Sequence, residues 1–165
     1  NFGPPQHLQL QQAFRDFHQQ HFGHDAIELF HAHAYQADYF EQFGDDYARA
    51  YGRDAARSLL AMAEPPTAVY IANLEAADSF REEFARAGRL IPDDLSIIVS
   101  GFDEEESKQE LFYTMMLHPR REIIARTTEK LLARIEDPSR PTERILLPRH
   151  LICRATSLAP CSQNV

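Results

Sequence analysis

The stretch that most constrains the fold is residues 65–106, PPTAVYIANLEAADSFREEFARAGRLIPDDLSIIVSGFDEEE, which has the pattern of a strand, a helix and a second strand. Residues 67–72 form a short apolar run without alternation, which is typical of a strand buried on both faces. Apolar side chains three or four residues apart then predict a helix over 74–87, with Gly88 at its C-cap. Residues 95–99 form the second predicted strand.

A helical crossover of this length joins parallel neighbours of one sheet, nearly always with a right-handed connection. Asn73 follows the first strand and Asp103 follows the second. The sequence therefore predicts that both side chains project from the same edge of the sheet, where ligands of open α/β sheets bind.

Composition excludes several classes of function. The 165 residues carry a formal charge of −8, and we find no basic face, which argues against direct nucleic-acid binding by this segment. No apolar run approaches the roughly 18 residues of a membrane span, and there is no signal peptide. Cys153 and Cys161 lack metal spacing, which favours a reducing, cytoplasmic compartment. Because the chain starts Asn-Phe-Gly-Pro-Pro, without methionine, we expect it to be part of a longer protein.

The rest of the chain alternates helix and strand patterns. Helices are predicted at 7–21, from Asp45 or Asp46 to 62, and at 120–135. Strands are predicted at 26–34, 111–117 and 144–153, the last interrupted by Pro148 as suits a sheet edge. Residues 35–44 read as a loop, 104–110 as an acidic connector and 158–165 as a disordered tail. The pattern is that of an α/β protein with a mostly parallel sheet flanked by helices.

Five segments in this order carry a family resemblance: PPTAVYIAN, ARAGRLIPDDLSII, GFDE, YTMMLHPRREIIARTTEKLLARI and RILLPRHLICRATS. They resemble the C-terminal half of the effector-binding module of the lactose/galactose repressor family, which has the type I periplasmic-binding-protein-like fold. The resemblance implies an incomplete fold whose N-terminal part is missing. It also implies a sugar or other small effector in a cleft between two subdomains, a homodimer, and DNA contact only through an absent N-terminal domain.

The same resemblance implies how the chain divides. Residues 1–98 and 144–157 would form the C-terminal subdomain, and 107–137 part of the N-terminal subdomain. No cofactor, metal or membrane contact is implied.

Three residues match ligand contacts of the family: Asn73, Asp103 and Tyr47. An amide and a carboxylate can hold sugar hydroxyls while an aromatic ring covers the apolar side of the sugar. The chain departs from the family pattern in three ways: Leu74 follows Asn73 where the family has aspartate, no arginine lies near Leu10, and the segment 98–101 is about two residues longer than the usual spacing from strand to glycine, which affects the register of Asp103.

Structural alternatives stand beside these roles. Asn73 could simply cap the helix that follows it, Asp103 could belong to a solvated acidic turn, and Tyr47 could pack within its helix. A run of histidines, His21, His24, His31 and His33, invites a zinc reading, although its spacing matches no established metal pattern.

Two other classes of function compete with a sensor of a cytoplasmic transcription repressor. A periplasmic sugar-binding protein for transport would share the fold. An enzyme is disfavoured because the chain contains no Gly-x-Ser-x-Gly, P-loop or Gly-x-Gly-x-x-Gly motif.

Overall fold

A computed structural model describes residues 6–23, 40–102 and 112–157, with side chains described from residue 12 onwards. The chain divides into two compact units, Asn1–Tyr47 and Ala48–Val165. In the first unit, helix α1 spans Gln6–Phe22, which confirms the predicted helix. The strand predicted at 26–34 lies outside the described residues.

The loop predicted at 35–44 is wrong in its described part. Residues 40–43 are helical and continue into a 3₁₀ helix, Gly44–Asp46, that leads directly into the next α-helix. Gly44 permits this chain path because its φ is 55°, a conformation that other residues rarely adopt. The rings of Phe40 and Tyr47 lie 5.8 Å apart, edge to face, and hold the turn together.

The remaining elements alternate along the chain as predicted. Their bounds are α2 Tyr47–Leu60, β1 Ala68–Ile71, α3 Leu74–Arg86, β2 Ser96–Phe102, β3 Thr114–His118, α4 Arg120–Glu136 and β4 His150–Ile152. The described sheet has the strand order β1-β2-β3-β4. Its first two pairings are parallel and the third is antiparallel, which confirms a mostly parallel α/β sheet.

The core lies between one face of this sheet and helix α3. Alternate residues of β2 and β3 point to that face: Ile97 and Val99 are fully buried, as are Met115 and Leu117 within 2%. They pack in one cluster with the aromatic stripe of α3, in which Ala77, Phe80 and Phe84 are buried as predicted. Gly88 ends the helix with φ at 76°, as its C-cap position predicts.

Helix α2 contacts α3 very closely at Gly52. A side chain at this position would collide with the carbonyl oxygen of Ala76 and the hydroxyl of Ser79, so only glycine fits. The buried stripe of α2 is consequently centred on Gly52 and Ala56, whereas the larger Tyr51 and its helical neighbour Ala55 are half-buried.

Three strand predictions need correction. Strand β1 is not buried on both faces, because Ala68 is exposed and its other residues are half-buried. Strand β2 does not end at Val99 but continues to Phe102, since Gly101 and Phe102 pair with β3. Strand β4 begins only at His150, two residues after Pro148, whose missing N–H cannot join a ladder.

Helix α4 has the predicted extent, but its apolar face is not covered by other described residues. Its apolar stripe is exposed: Ile124 by 57%, Leu131 by 58% and Ile135 by 67%. No residue of α4 is buried, in contrast to the five buried residues of α3.

Candidate functional site at the carboxyl edge of the sheet

Asn73 lies where β1 has ended and α3 begins. Its Oδ1 accepts a hydrogen bond of 3.0 Å from the backbone N–H of Ala76, so the capping role proposed as an alternative is present. The cap occupies the oxygen of the amide. The side chain is half-buried, and its Nδ2 group donates no hydrogen bond to the described part of the chain.

Ser100 and His118 meet across β2 and β3 at the same edge. In the parallel register Phe102 lies opposite His118, and Ser100, two residues earlier, points to the same face. Its Oγ is 2.9 Å from Nε2 of His118. Two strand ends therefore bring together a hydroxyl and an imidazole that are 18 residues apart in sequence.

Phe102 and Arg120 complete this edge. The rings of Phe102 and His118 lie 5.6 Å apart, and the guanidinium carbon of Arg120 is 3.5 Å from the centroid of the Phe102 ring. An arginine over an aromatic face is held by a cation–π contact. The first residue of α4 is thereby fixed against the end of β2.

A serine hydrogen-bonded to a histidine resembles part of a hydrolase site, but its electrostatics oppose that chemistry. Burial lowers the pKa of His118, and the positive charge of Arg149 lowers it further. A general base that accepts the serine proton must become an imidazolium, which a carboxylate normally stabilises. Here the neighbouring charge that acts on the His118 ring is that of Arg149, which disfavours the imidazolium.

A buried polar network holds β3 in register beside β2. Thr156 is fully buried; its Oγ1 donates to the carbonyl oxygen of Ile97 and accepts from the N–H of Thr114, both at 2.8 Å. The hydroxyl of Thr114 in turn accepts from the N–H of Arg154 at 2.8 Å. The segment after β4 thus fixes the relative position of the two strands that carry Ser100 and His118.

A second cluster attaches α3 to β3. The hydroxyl of Tyr113, a buried residue, donates to Asp78 at 2.8 Å and accepts from Nε of Arg81 at 3.2 Å. Burial raises the pKa of the Tyr113 hydroxyl, and its hydrogen bond to Asp78 raises it further. The phenol therefore stays protonated and keeps α3, which begins beside Asn73, in place on the sheet.

The three predicted ligand contacts lie in different parts of the chain. Asn73 lies at the carboxyl edge. Tyr47 lies at the end of the first unit, half-buried beside Phe40, and Asp103 falls outside the described residues. Sequence reasoning missed Ser100 and His118. The signal was the His-Pro step that ends the strand in YTMMLHPR, because a polar residue before a helix-starting proline marks a strand end.

The described ranges contain no group of three or more metal-binding side chains. Of the four histidines weighed as zinc ligands, His21 is exposed on α1, and His24, His31 and His33 lie outside the described residues. The helices described are also too short or too polar to cross a membrane.

Comparison with known proteins gives one consistent picture. The family model described as a periplasmic binding protein-like domain matches residues 4–157. The chain is 32% identical over 103 residues to a probable HTH-type transcriptional repressor, ExuR, of Bacillus subtilis (strain 168). That alignment takes in 58% of this chain and 28% of the repressor.

Solved structures of LacI-family regulators share the fold. A putative LacI regulator from Bacillus cereus subsp. cytotoxis NVH 391-98 has a TM-score of 0.61 at 18% identity, covering 67% of this chain and 39% of that chain. A regulator from Enterococcus faecalis V583, solved with bound ribose, has a TM-score of 0.58 at 28% identity, covering 66% and 40%. The chain therefore spans well under half the length of these relatives. The matches confirm the resemblance that the sequence motifs indicate.

Proposed function

This chain belongs to the family of periplasmic binding protein-like domains, and we propose that it is the effector-binding part of a DNA-binding transcription repressor that senses a sugar or a similar small molecule. The observation that carries the proposal is the group of polar side chains at the carboxyl edge of the sheet. Asn73, Ser100 and His118 stand where three parallel strands end. Open α/β sheets bind small ligands at this edge.

The proposed ligand contacts divide by chemistry. The Nδ2 group of Asn73 donates to a hydroxyl oxygen, and the carboxylate of Asp103 accepts from neighbouring hydroxyls. The ring of Tyr47 covers an apolar face of the ligand. Two related regulators, from Enterococcus faecalis and Enterococcus faecium, were solved with bound ribose, which supports a ligand rich in hydroxyl groups.

Signalling follows from a difference in affinity. We propose that residues 1–98 and 144–157 form one subdomain and that 107–137 contribute to another, with the effector between them. A ligand that binds one relative orientation more tightly shifts the population towards it, and the ratio of affinities sets how far DNA binding changes. The exposed stripe of α4 supports this division, since apolar helix faces are normally covered by other protein.

DNA contact is assigned to another domain, because this segment carries a net charge of −8 and phosphate binding needs a basic face. A repressor that acts on DNA works in the cytoplasm. The relatives named above are regulators, which favours this role over transport and over catalysis.

The first test is a thermal-shift panel of sugars and nucleosides on the purified protein. A ligand that binds only the folded state stabilises it, by about 2.7 kcal/mol when the ligand concentration is a hundred times Kd. The unfolding temperature rises accordingly. We expect at least one sugar-like compound to do so. A panel without any stabilising compound would contradict effector sensing.

The matched variant is Asn73→Asp. Aspartate caps a helix as well as asparagine does, so the ligand-free unfolding temperature should stay within a degree or two of wild type. The variant removes the two amide donors, and the ligand-induced shift should shrink. An unchanged ligand response would remove Asn73 from the proposed site and leave it as a cap only.

We further propose a homodimer, because the exposed apolar stripe of α4 would be covered by a second copy or by another part of the protein. Light scattering at micromolar concentration should give the dimer mass. A stable monomer would refute the dimer without bearing on ligand binding.

A further inference from the structure

Helix α4 belongs to a segment that leaves the sheet after β3 and returns to it at β4. We call residues 119–149 the α4 segment. No residue of α4 is buried, so the body of the helix is not packed into the core. Nζ of Lys130 donates to the carboxylate of Glu143 at 2.9 Å, which ties the helix to the returning chain. The position of the α4 segment on the sheet therefore depends on its two ends.

These two ends lie side by side. Leu117 lies opposite His150 in the antiparallel register of β3 and β4, so one step further along places Arg149 beside His118. Phe102, the last residue of β2, lies opposite His118 in the parallel register. Directly opposed residues share one face of a sheet. The end of β2, the exit of the α4 segment and its return therefore form one row.

Aromatic and polar contacts hold this row together. Nε2 of His118 is 2.9 Å from Oγ of Ser100. The ring of His118 lies 5.6 Å from that of Phe102, and the guanidinium carbon of Arg120 is 3.5 Å from the centroid of the same Phe102 ring. A cation–π contact thus links the first residue of α4 to β2. The α4 joint consists of Ser100, Phe102, His118, Arg120 and Arg149.

The charges that the α4 joint places near the imidazole are both positive. Arg149 approaches it from the returning chain, and the guanidinium of Arg120 lies against the Phe102 ring that the imidazole contacts. Burial lowers the pKa of His118, and the charge of Arg149 lowers it further. At neutral pH the ring is therefore uncharged.

The other described neighbours of the imidazole do not offset these charges. Strand β2 faces it with a hydroxyl and an aromatic ring, both uncharged. The acid in the first turn of α4, Glu122, pairs with Arg126 at 3.5 Å. His150 of β4 lies opposite Leu117 and therefore faces the other side of the sheet.

Protonation acts on the α4 joint through charge, not through loss of a bond. When Nε2 of the neutral ring accepts from the Ser100 hydroxyl, the imidazolium donates to the same oxygen instead, and the bond can remain. The new charge, however, lies on a half-buried ring beside Arg149. Burial and a like charge both disfavour it, and moving the ring into water relieves both.

We propose that His118 is a proton-operated switch at the α4 joint: its neutral form keeps the α4 segment on the sheet, and its protonated form releases that segment. In the released state the imidazole is in water and has the ordinary pKa of 6.5. The pKa in the closed joint is lower, so the closed joint is favoured above pH 6.5. That advantage is lost progressively as the pH falls from 6.5 to the lower value of the closed joint.

The switch goes beyond ligand sensing and does not require it. In the proposed function, the orientation of the subdomain that contains α4 sets how strongly the repressor binds DNA. Release of the α4 segment changes that orientation without a ligand, so acid would act as a second input beside the effector.

Hydrogen exchange of the ligand-free full chain tests the switch, read by mass spectrometry and corrected for the intrinsic pH dependence of exchange. The first turn of α4, in which the N–H of Ile123 bonds the carbonyl of Pro119 at 2.9 Å, should fray when the joint opens. One proton changes an opening equilibrium by at most about tenfold per pH unit. Protection of this turn should fall roughly threefold or more from about pH 7.5 to about pH 5.5. Amides of α3 around the buried Phe80 should not respond and serve as the internal reference.

Three variants assign the response to the joint. His118→Gln keeps a polar partner for Ser100 and cannot take up a proton, so its protection should not depend on pH in this range. Arg149→Gln removes the repelling charge and should reduce the response. The matched control is His150→Gln, which removes an exposed imidazole from the other side of the sheet and should respond as wild type does. Urea unfolding at about pH 7.5 confirms that each variant is folded.

Three results would overturn the switch: a flat wild-type profile, an equal fall in protection in His118→Gln, or a full response in Arg149→Gln. The first shows that the joint does not open with acid, the second assigns the effect to another group, and the third excludes charge repulsion as its cause. Because no ligand is present, these results are independent of the thermal-shift panel. Failure of that panel would remove sugar sensing and leave the switch standing.

Discussion

Thr156 provides the most direct test of how β2 and β3 are held together. The side chain is fully buried, and its hydroxyl bonds both the carbonyl of Ile97 and the N–H of Thr114 at 2.8 Å. Replacing it by valine keeps the shape and removes both bonds. The backbone bond from the N–H of Ile97 to the carbonyl of Thr156, at 2.7 Å, is available to every variant.

The expected size of the effect follows from the two groups left behind. A buried backbone group without a partner costs about 1 to 3 kcal/mol, so Thr156→Val should destabilise the protein by about 3 kcal/mol or more. In a chain of 165 residues this lowers the unfolding temperature by roughly 6 to 12 °C. Thr156→Ser keeps the hydroxyl and loses one methyl group, which costs about 1 kcal/mol.

The assay is urea unfolding of both variants, followed by circular dichroism, together with hydrogen exchange at the amide of Thr114. The valine variant should be the less stable of the two, and its Thr114 amide should exchange faster than in the serine variant. A valine variant at least as stable as the serine variant would show that packing, and not the hydroxyl, holds the segment. The account of the network given above would then be wrong.

Three further perturbations test other parts of the structure. Gly52→Ala gains about 1 kcal/mol of helix propensity. The added methyl group collides with Ala76 and Ser79, however, so the free energy of unfolding should fall by about 2 kcal/mol. A variant that urea unfolding shows to be stabilised would exclude the close crossing of the two helices. Asn73→Ala should lower stability by about 1 kcal/mol through loss of the cap, and an unchanged denaturation midpoint would contradict the capping bond. The pKa of His118 is lowered in the folded state, by burial and by a neighbouring arginine, so its stabilising contribution is present above pH 6.5, the unfolded value, and is lost as the pH falls through the lower folded value. Thermal scans across that window should therefore show a shallower pH dependence for His118→Gln than for wild type, and identical slopes would exclude a depressed pKa.

The helices were predictable because their signals are local. The apolar spacing of Phe80 and Phe84, the capping residue Asn73 and the positive-φ Gly88 act through neighbours within a few turns of chain. The extents of α1, α3 and α4 therefore agree with prediction. The turn at 40–43 was missed because contact between Phe40 and Tyr47 outweighs its polar composition.

The strands were less predictable because their lengths depend on partners. Strand β2 extends to Phe102 because β3 offers hydrogen-bonding groups there. The apolar run that predicts the strand ends at Val99 and does not indicate this extension. Burial of β1 depends on what covers each face of the sheet, which composition does not state. The requirement for glycine at position 52 likewise depends on contact between two helices, which the sequence of one helix does not indicate.

The sequence by itself determined the α/β order, the mostly parallel sheet, the edge at which Asn73 projects, and the family resemblance. Each of these follows from the spacing of apolar residues, the capping residues and the order of motifs along the chain. Tertiary structure alone decided that Ser100 meets His118, that Arg149 stands beside that histidine, and that Thr156 joins Ile97 to Thr114. These contacts join residues 18 to 59 positions apart. The register of paired strands fixes such contacts, and register is set by the hydrogen bonds and packing of the whole sheet, not by the propensity of any one segment.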